Sequence, residues 1–128
     1  MFQINFNSSA PIYEQIELQA QFLIASGAWP EGELIPSVRE VAKTLAINPQ
    51  TVARAYGNLK TSGLIQPRRG LGNVVSIGAK DRCRRSRLLF FQSKIEEALK
   101  EATLGGLSTQ ETNEIVQAAL QKIVSRNS

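Results

Sequence analysis

The stretch LIPSVREVAKTLAINPQTVARAYGNLKTSGLI, from Leu34 to Ile65, contains two short helical patterns with almost nothing between them. Ser37 and Glu40 have the spacing of a capping box, which predicts that the first helix begins directly after Ser37. Asn48 is suited to cap the second helix, with Pro49 as its first residue. Two helices joined by a turn of about three residues cross steeply, so this stretch predicts a helix-turn-helix.

The second helix of this pair has two chemically different faces. Its polar face begins early in the helix and carries Gln50, Thr51 and Arg54. A glutamine can bond adenine, a threonine can bond a base edge or contact a thymine methyl, and an arginine can bond guanine or a phosphate. This face therefore predicts a helix that lies in the major groove of DNA. The opposite face has the i, i+3, i+4, i+7 spacing of a buried stripe, formed by Val52, Ala55, Tyr56 and Leu59.

A β-hairpin is predicted directly after the second helix. Residues 64–66 and 73–77 favour strands, and Pro67, Gly70 and Gly72 mark a turn between them. A helix-turn-helix followed by a hairpin is a winged helix-turn-helix. Ahead of it, Pro11 opens another amphipathic helix that Gly27 would end, and residues 33–35 form a short extended piece.

The tip of the predicted hairpin is basic. Arg68 and Arg69 would reach an adjacent phosphate or the minor groove, and Gly70 would let the backbone approach DNA closely. Arg39, in the first turn of the preceding helix, is placed for a further backbone or base contact. Clustered positive charge of this kind suits a polyanionic partner.

Composition excludes several classes of protein. The chain has 128 residues, 42% of them hydrophobic and 20% charged, so it can bury a core and is not expected to be disordered. No apolar run approaches the roughly 18 residues of a membrane span, and the N-terminus has no secretion signal. We therefore expect a cytoplasmic protein that does not enter a membrane.

The sequence lacks the residue combinations that imidazole-based catalysis and sites built on His or Cys clusters need. There is no histidine and only one cysteine, so zinc sites and imidazole bases are not available. Paired carboxylates are not found on one face, and the GLGN segment at 70–73 lies in a hairpin rather than in a phosphate-binding loop. The sequence predicts no enzyme, no metal and no cofactor, and it offers no constellation of polar groups for a small-molecule effector.

The run KDRCRRSR, residues 80–87, has two readings. It could extend the phosphate contacts along DNA, or it could be the solvated start of a long helix whose cations pair with acids of a partner subunit. Its cysteine, Cys83, is flanked by arginines that would favour a thiolate, so redox sensing and an incidental cysteine are both open readings.

After residue 77 the pattern changes to two long helices, separated by LGGL and by a capping box at Ser108 and Glu111. This predicts a winged helix-turn-helix domain at 1–77 and a helical dimerisation domain at 78–128. In a chain this small, two amphipathic helices gain much from association. The alternative is a monomer whose tail folds back on its own winged helix. The residues predicted to dimerise are Leu88, Phe91, Ile95 and Ala98 on one helix and Ile115, Ala119, Leu120 and Ile123 on the other.

Several motifs between Pro11 and Val75 resemble the N-terminal domain of GntR-family transcription regulators. They are PIYEQI, IPSVREVA, NPQTVARAYGNL, SGLI and RRGLGNVV, in that order along the chain. The short two-helix remainder, with its LGGLSTQET segment, is similar to the YtrA-like subfamily, whose tail dimerises the protein. The resemblance implies a mainly α fold with a small β-hairpin.

The family binds operator DNA as a homodimer, and the resemblance also implies which residues of this chain contact DNA. Two departures concern base preference: Pro49 stands where some relatives have arginine, and Arg69 stands where the family often has a wing histidine. The positions implied to contact DNA are Arg39, Asn48, Pro49, Gln50, Thr51, Arg54, Arg69 and Gly70.

The function predicted from the residues and the resemblance together is a homodimeric, sequence-specific DNA-binding transcription regulator. It would act as a repressor that occludes a promoter by binding a palindromic double-stranded operator. The alternative is a winged helix that serves only as a protein-interaction module, since the fold alone does not determine function.

Overall fold

The computed structural model describes residues 1–127 of the chain. Within them the prediction of a mainly α fold with a small antiparallel hairpin is confirmed. The elements in chain order are α1 (Ile12–Ser26), α2 (Val38–Leu45), α3 (Pro49–Thr61), β1 (Ile65–Arg68), β2 (Gly72–Val75), α4 (Ala79–Leu104) and α5 (Thr109–Asn127).

The helix ends lie where the capping residues predict them. In the capping box of α2, the Ser37 hydroxyl accepts the Glu40 backbone N–H at 3.1 Å, and the Glu40 carboxylate accepts the Ser37 N–H at 3.3 Å. The Asn48 side chain accepts the Gln50 N–H at 2.9 Å and begins α3. These bonds satisfy N–H groups that have no partner inside the helix, which is why such short helices have sharp starts.

The core of the winged helix forms where α1 packs against α3. Side chains on one stripe of each helix are almost completely buried, as the spacing in the sequence predicts. Each large one stabilises the fold by about 1.5–3 kcal/mol relative to an exposed position. The buried residues of the two stripes are Ile16, Ala20 and Ile24 of α1 and Val52, Ala55, Tyr56 and Leu59 of α3.

The hairpin corrects the prediction for Pro67, which was expected in the turn. In the structure Pro67 belongs to β1 and pairs with Asn73. A proline is tolerated there because β1 is an edge strand, where no neighbour needs its missing N–H. The turn itself is closed by a bond from the Leu71 N–H to the Arg68 carbonyl at 3.0 Å, with Gly70 at φ 77. That left-handed conformation favours glycine.

The short extended piece predicted at residues 33–35 lies along the other side of β2. The Ile35 N–H donates to the Asn73 carbonyl at 3.0 Å, and the Val75 N–H donates to the Glu33 carbonyl at 3.2 Å. These bonds connect the chain just before α2 to the hairpin. The hairpin and the helix pair are thereby held in one unit.

The N-terminal segment is an element that the sequence did not predict. Phe2 is buried and packs edge-on against Trp29, with ring centroids 5.7 Å apart. The Gln19 amide bonds both the N–H and the carbonyl of Gln3, at 2.7 and 2.6 Å. Gln15, one turn earlier, does the same for Asn5 at 2.9 and 3.0 Å. Two glutamines of α1 thus hold an extended segment against the helix.

The chain divides into two compact units, of which the first is Met1–Ser86 and the second begins at Arg87. The predicted division between residues 77 and 78 lies just before α4, which begins at Ala79. The difference arises because Ala79 and Cys83, in the first turns of α4, are buried in the core of the first unit.

The second unit consists of the remainder of α4 and of α5. Ser108 and Glu111 form the predicted capping box at the start of α5, and the bond from the Ser108 N–H lowers the pKa of the Glu111 carboxyl. Among its described residues, none is buried. The helices are therefore well formed but lack a core of their own.

The Tyr56 hydroxyl offers a test of how α3 is held. It donates to the Pro36 carbonyl at 2.7 Å, and burial, followed by the charge of Glu40, raises its pKa, so it stays a neutral donor. Tyr56→Phe should lower the free energy of unfolding by about 1–3 kcal/mol because the carbonyl loses its partner. Urea unfolding at fixed protein concentration measures this.

The matched control for this substitution is Tyr13→Phe, which removes a hydroxyl from a bond of 3.4 Å to an exposed carboxylate. It should change the free energy of unfolding by less than about 0.5 kcal/mol. Equal effects of the two substitutions would contradict the role assigned to the Tyr56 bond.

Candidate nucleic-acid interface

Each residue of the short turn between α2 and α3 has a defined role. Ala46 ends α2 in the left-handed conformation, with φ 54 and ψ 48. The Ile47 N–H then donates to the Ala42 carbonyl at 3.0 Å, and Asn48 caps α3. This closed turn fixes the direction in which α3 leaves α2.

The first turns of α3 present the predicted polar residues outward. Gln50 and Arg54 are exposed, and Thr51 is half-buried. Residues three and four apart are neighbours on a helix surface, so the three side chains form one patch. The stripe that begins at Val52 faces the core, and this arrangement leaves the patch free for a ligand.

Two of the predicted DNA-binding positions also begin α3. The Asn48 oxygen accepts the Gln50 N–H with one of its two lone pairs, so the second lone pair and the amide N–H groups keep their capacity for further bonds. Pro49 is exposed and has neither an N–H nor a polar side chain, so it offers only an apolar surface. Contact of these two residues with DNA stays a prediction.

The basic residues outside α3 are also accessible. Arg39 is exposed in the first turn of α2, and Arg68, Arg69 and Gly70 are exposed at the hairpin end. Apart from Gly70 and its two chain neighbours, no heavy atom of the described residues lies within 4 Å of the place that a Cβ atom would take at Gly70, so the backbone there is open. The predicted DNA-binding residues are thus in the first unit, on exposed or half-buried positions.

Tyr13 of α1 also lies at this surface, where it is half-buried. The guanidinium carbon of Arg54 lies 3.8 Å from the centroid of the Tyr13 ring, which is a cation–π distance. One turn further along both helices, the Asn58 amide donates to the Glu17 carboxylate. A PIYEQI segment alone does not indicate this contact, because it joins residues that are distant in sequence.

The basic residues at the start of α4, in the run 80–87, differ in their surroundings. Arg82 donates to the Ser62 carbonyl at 2.6 Å, where α3 ends, so it has a structural role. Arg84 and Arg85 are exposed. Cys83 is 2% exposed, and such burial shields its sulfur from oxidants and disfavours the redox-sensing interpretation.

The described residues offer neither a metal site nor a membrane-spanning helix. Residues 1–127 contain no group of His, Cys, Asp and Glu that could hold a metal ion. None of the helices described here is long and apolar enough to cross a membrane.

Comparison with known proteins identifies the family of this chain. The family model for bacterial regulatory proteins of the gntR family matches residues 12–75, from α1 to the end of β2. The HTH-type transcriptional repressor YtrA of Bacillus subtilis (strain 168) is 33% identical over 117 residues, which cover 91% of this chain and 90% of that protein. These relatives are regulators rather than enzymes, which agrees with the prediction that this chain is not an enzyme.

Solved structures give the same result. A GntR family transcriptional regulator from Listeria monocytogenes has a TM-score of 0.72 at 27% identity, covering 88% of this chain and 98% of that one. YtrA from Sulfolobus acidocaldarius, a GntR-family transcription factor, is 39% identical with a TM-score of 0.56, over 59% of this chain and 79% of that one. The chain therefore belongs to the GntR family of transcription regulators, in its YtrA-like subfamily.

Proposed function

We propose that this regulator is a homodimeric repressor that binds a palindromic operator in the cytoplasm. The observation that carries the proposal is the exposed patch of Gln50, Thr51 and Arg54 on a helix whose other face is buried. Such a patch has the donors and acceptors that distinguish base pairs in the major groove. The exposed arginines of the hairpin add phosphate or minor-groove contacts beside it.

The proposal of a repressor is supported by the relatives. The protein of Bacillus subtilis that matches most of this chain is named a repressor. A dimer bound at a promoter blocks polymerase by occupying its site, so no further domain is required for that effect.

The proposal of a homodimer is supported by the second unit. The predicted dimerisation residues are all exposed, and α5 buries none of its described side chains. Apolar patches of this extent mark interaction sites. A second copy is the partner that a palindrome requires, because two-fold symmetry places one recognition helix on each half-site. Exposed apolar residues of this unit include Leu88, Phe91, Ile95, Leu99, Ile115, Leu120 and Ile123.

The first experiment compares binding to the DNA upstream of the protein's own coding sequence with binding to a scrambled duplex, by fluorescence anisotropy across a salt series. A specific regulator binds only the upstream duplex tightly, and log affinity falls with log salt by about 0.9 per phosphate contact. Absence of binding to either duplex at low salt would favour the protein-interaction module.

Arg54 is predicted to contribute to recognition of one base pair. Arg54→Ala should weaken operator binding by about 1–3 kcal/mol and reduce discrimination at that base pair. Binding to a set of duplexes with single base-pair changes measures both effects. Uniform weakening on all duplexes would assign Arg54 to a phosphate instead.

A matched control for this substitution is Arg126→Ala, which removes the same charge from the last turn of α5. It should leave discrimination among the duplexes unchanged, because it lies in the other unit. A loss equal to that of Arg54→Ala would mean that net charge, and not position, determines binding.

Phe91 is predicted to lie in the dimer interface. Phe91→Glu should shift the protein to monomer and weaken operator binding, because a carboxylate cannot be buried against apolar side chains without a large cost. Sedimentation velocity at several concentrations measures the oligomeric state.

Ser93→Glu is the control for that substitution, since it adds the same charge about 200° around the helix from Phe91. Ser93 is exposed, and its glutamate variant should remain a dimer. A Phe91→Glu variant that sediments like the wild type would overturn the assignment of this face to the dimer.

A further inference from the structure

The contact between Tyr13 and Arg54 joins the recognition patch to α1. The guanidinium carbon lies over the ring face, 3.8 Å from its centroid. Tyr13 is half-buried and packs against the core cluster of the first unit, whereas Arg54 is exposed. A ring that is held by the core therefore contacts a flexible cation that extends to the surface.

We propose that Tyr13 is a positioning residue, which holds the Arg54 guanidinium in the orientation that the recognition helix presents to DNA. The inference rests on the proposed function and deepens it. It adds a residue from outside the helix-turn-helix to the machinery that determines base preference. No contact between Tyr13 and DNA is required.

A stacked arginine is well suited to this role. The Arg54 guanidinium carbon is 3.8 Å from the ring centroid, and a guanidinium that lies flat on a ring keeps the N–H donors at its edge for a base edge or a phosphate. A carboxylate partner would instead occupy those donors. Stacking also restricts the rotamers of a long side chain before it meets DNA, and such preorganisation increases affinity.

The geometry of the two helices keeps the ring in place. Tyr13 and Glu17 are one turn apart on α1, and Arg54 and Asn58 are one turn apart on α3. The hydrogen bond between Asn58 and Glu17 is therefore a second tie alongside the Tyr13–Arg54 contact, and the two ties hold α1 in register with α3. The buried stripes of both helices support the same arrangement.

The ring face and the hydroxyl of Tyr13 have different partners. The hydroxyl is exposed and lies 3.4 Å from a carboxylate oxygen of Glu14, whereas the ring face contacts Arg54. Tyr13→Phe should therefore keep the positioning effect, and Tyr13→Leu should remove it. If Tyr13 instead acted by bonding DNA through its hydroxyl, Tyr13→Phe would weaken DNA binding.

The test begins with a duplex selected from a random-sequence library by the wild-type protein. Its affinity is then measured for Tyr13→Phe, Tyr13→Leu, Arg54→Ala and the Tyr13→Leu/Arg54→Ala double variant. Tyr13→Phe should bind like the wild type, and Tyr13→Leu should bind about three- to tenfold more weakly. In the Arg54→Ala background, Tyr13→Leu should cause no further loss, because coupled residues are not additive.

Two controls separate positioning from folding. Phe22→Leu makes the same change from an aromatic to an aliphatic residue on α1, more than two turns away from Tyr13, and should leave affinity unchanged. NMR provides a direct signal of the contact, since the Tyr13 ring should shift the Arg54 side-chain resonances upfield. That shift should persist in Tyr13→Phe and disappear in Tyr13→Leu.

Several outcomes would overturn the proposal. They are wild-type affinity in Tyr13→Leu, an equal loss in Tyr13→Phe, an undiminished effect of Tyr13→Leu in the Arg54→Ala background, or no ring-current shift in the wild type. A wild-type protein that selects no sequence would overturn the proposed function, and the role of Tyr13 that rests on it. A wild-type protein that selects a duplex, together with a Tyr13→Leu variant that binds this duplex equally well, would overturn only the role of Tyr13.

Discussion

The burial of one face of α3 is the constraint on which the winged helix depends. The stripe of Val52, Ala55, Tyr56 and Leu59 is at most 2% exposed, and it packs in the same cluster as the inner face of α1. A helix with one face buried to this extent cannot rotate about its axis without exposing apolar surface to water. The outward direction of its polar residues is therefore a consequence of the core, which fixes the backbone that carries the recognition patch.

The other elements position α3 rather than add to the patch. The closed turn at Ala46 and Ile47 sets its direction after α2, and the Tyr56 hydroxyl ties it to the carbonyl of Pro36. The hairpin is joined to the same region by residues 33–35, so its arginines are held in a fixed relation to the helix pair. Binding to DNA then requires little ordering of the backbone, which lowers the entropic cost of recognition.

The sequence predicted those features that depend on neighbouring residues. Capping residues act within one turn, so the starts of α2, α3 and α5 were predictable from Ser37, Asn48 and Ser108. The contacts between distant segments were not. Phe2 is buried against Trp29, and Pro67 is tolerated because β1 has a free edge, and both facts depend on which segments become neighbours.

The candidate site likewise contains residues that one helix alone predicts and a residue that depends on packing between helices. The outward residues of α3 could be identified from the periodicity of one helix, whereas Tyr13 contributes only through the packing of α1 on α3. The extent of the first compact unit, which ends at Ser86, depends on packing for a similar reason. Ala79 and Cys83 complete the core of the first unit, but α4, the helix that carries them, continues for more than twenty residues beyond Cys83. The sequence pattern of α4 alone does not show which of its turns pack against the winged helix.

The two units of the chain differ in how they are stabilised, and the difference has a consequence for regulation. The first unit has its own core, whereas the described residues of the second leave their apolar faces in water. If a second copy covers those faces, as we propose, the stability of the tail depends on protein concentration. Two linked recognition helices bind a palindrome far more tightly than one, because the second contact is made at a high effective concentration. The operator would then respond to the amount of dimer, and occupancy would rise more steeply than the total concentration of the protein.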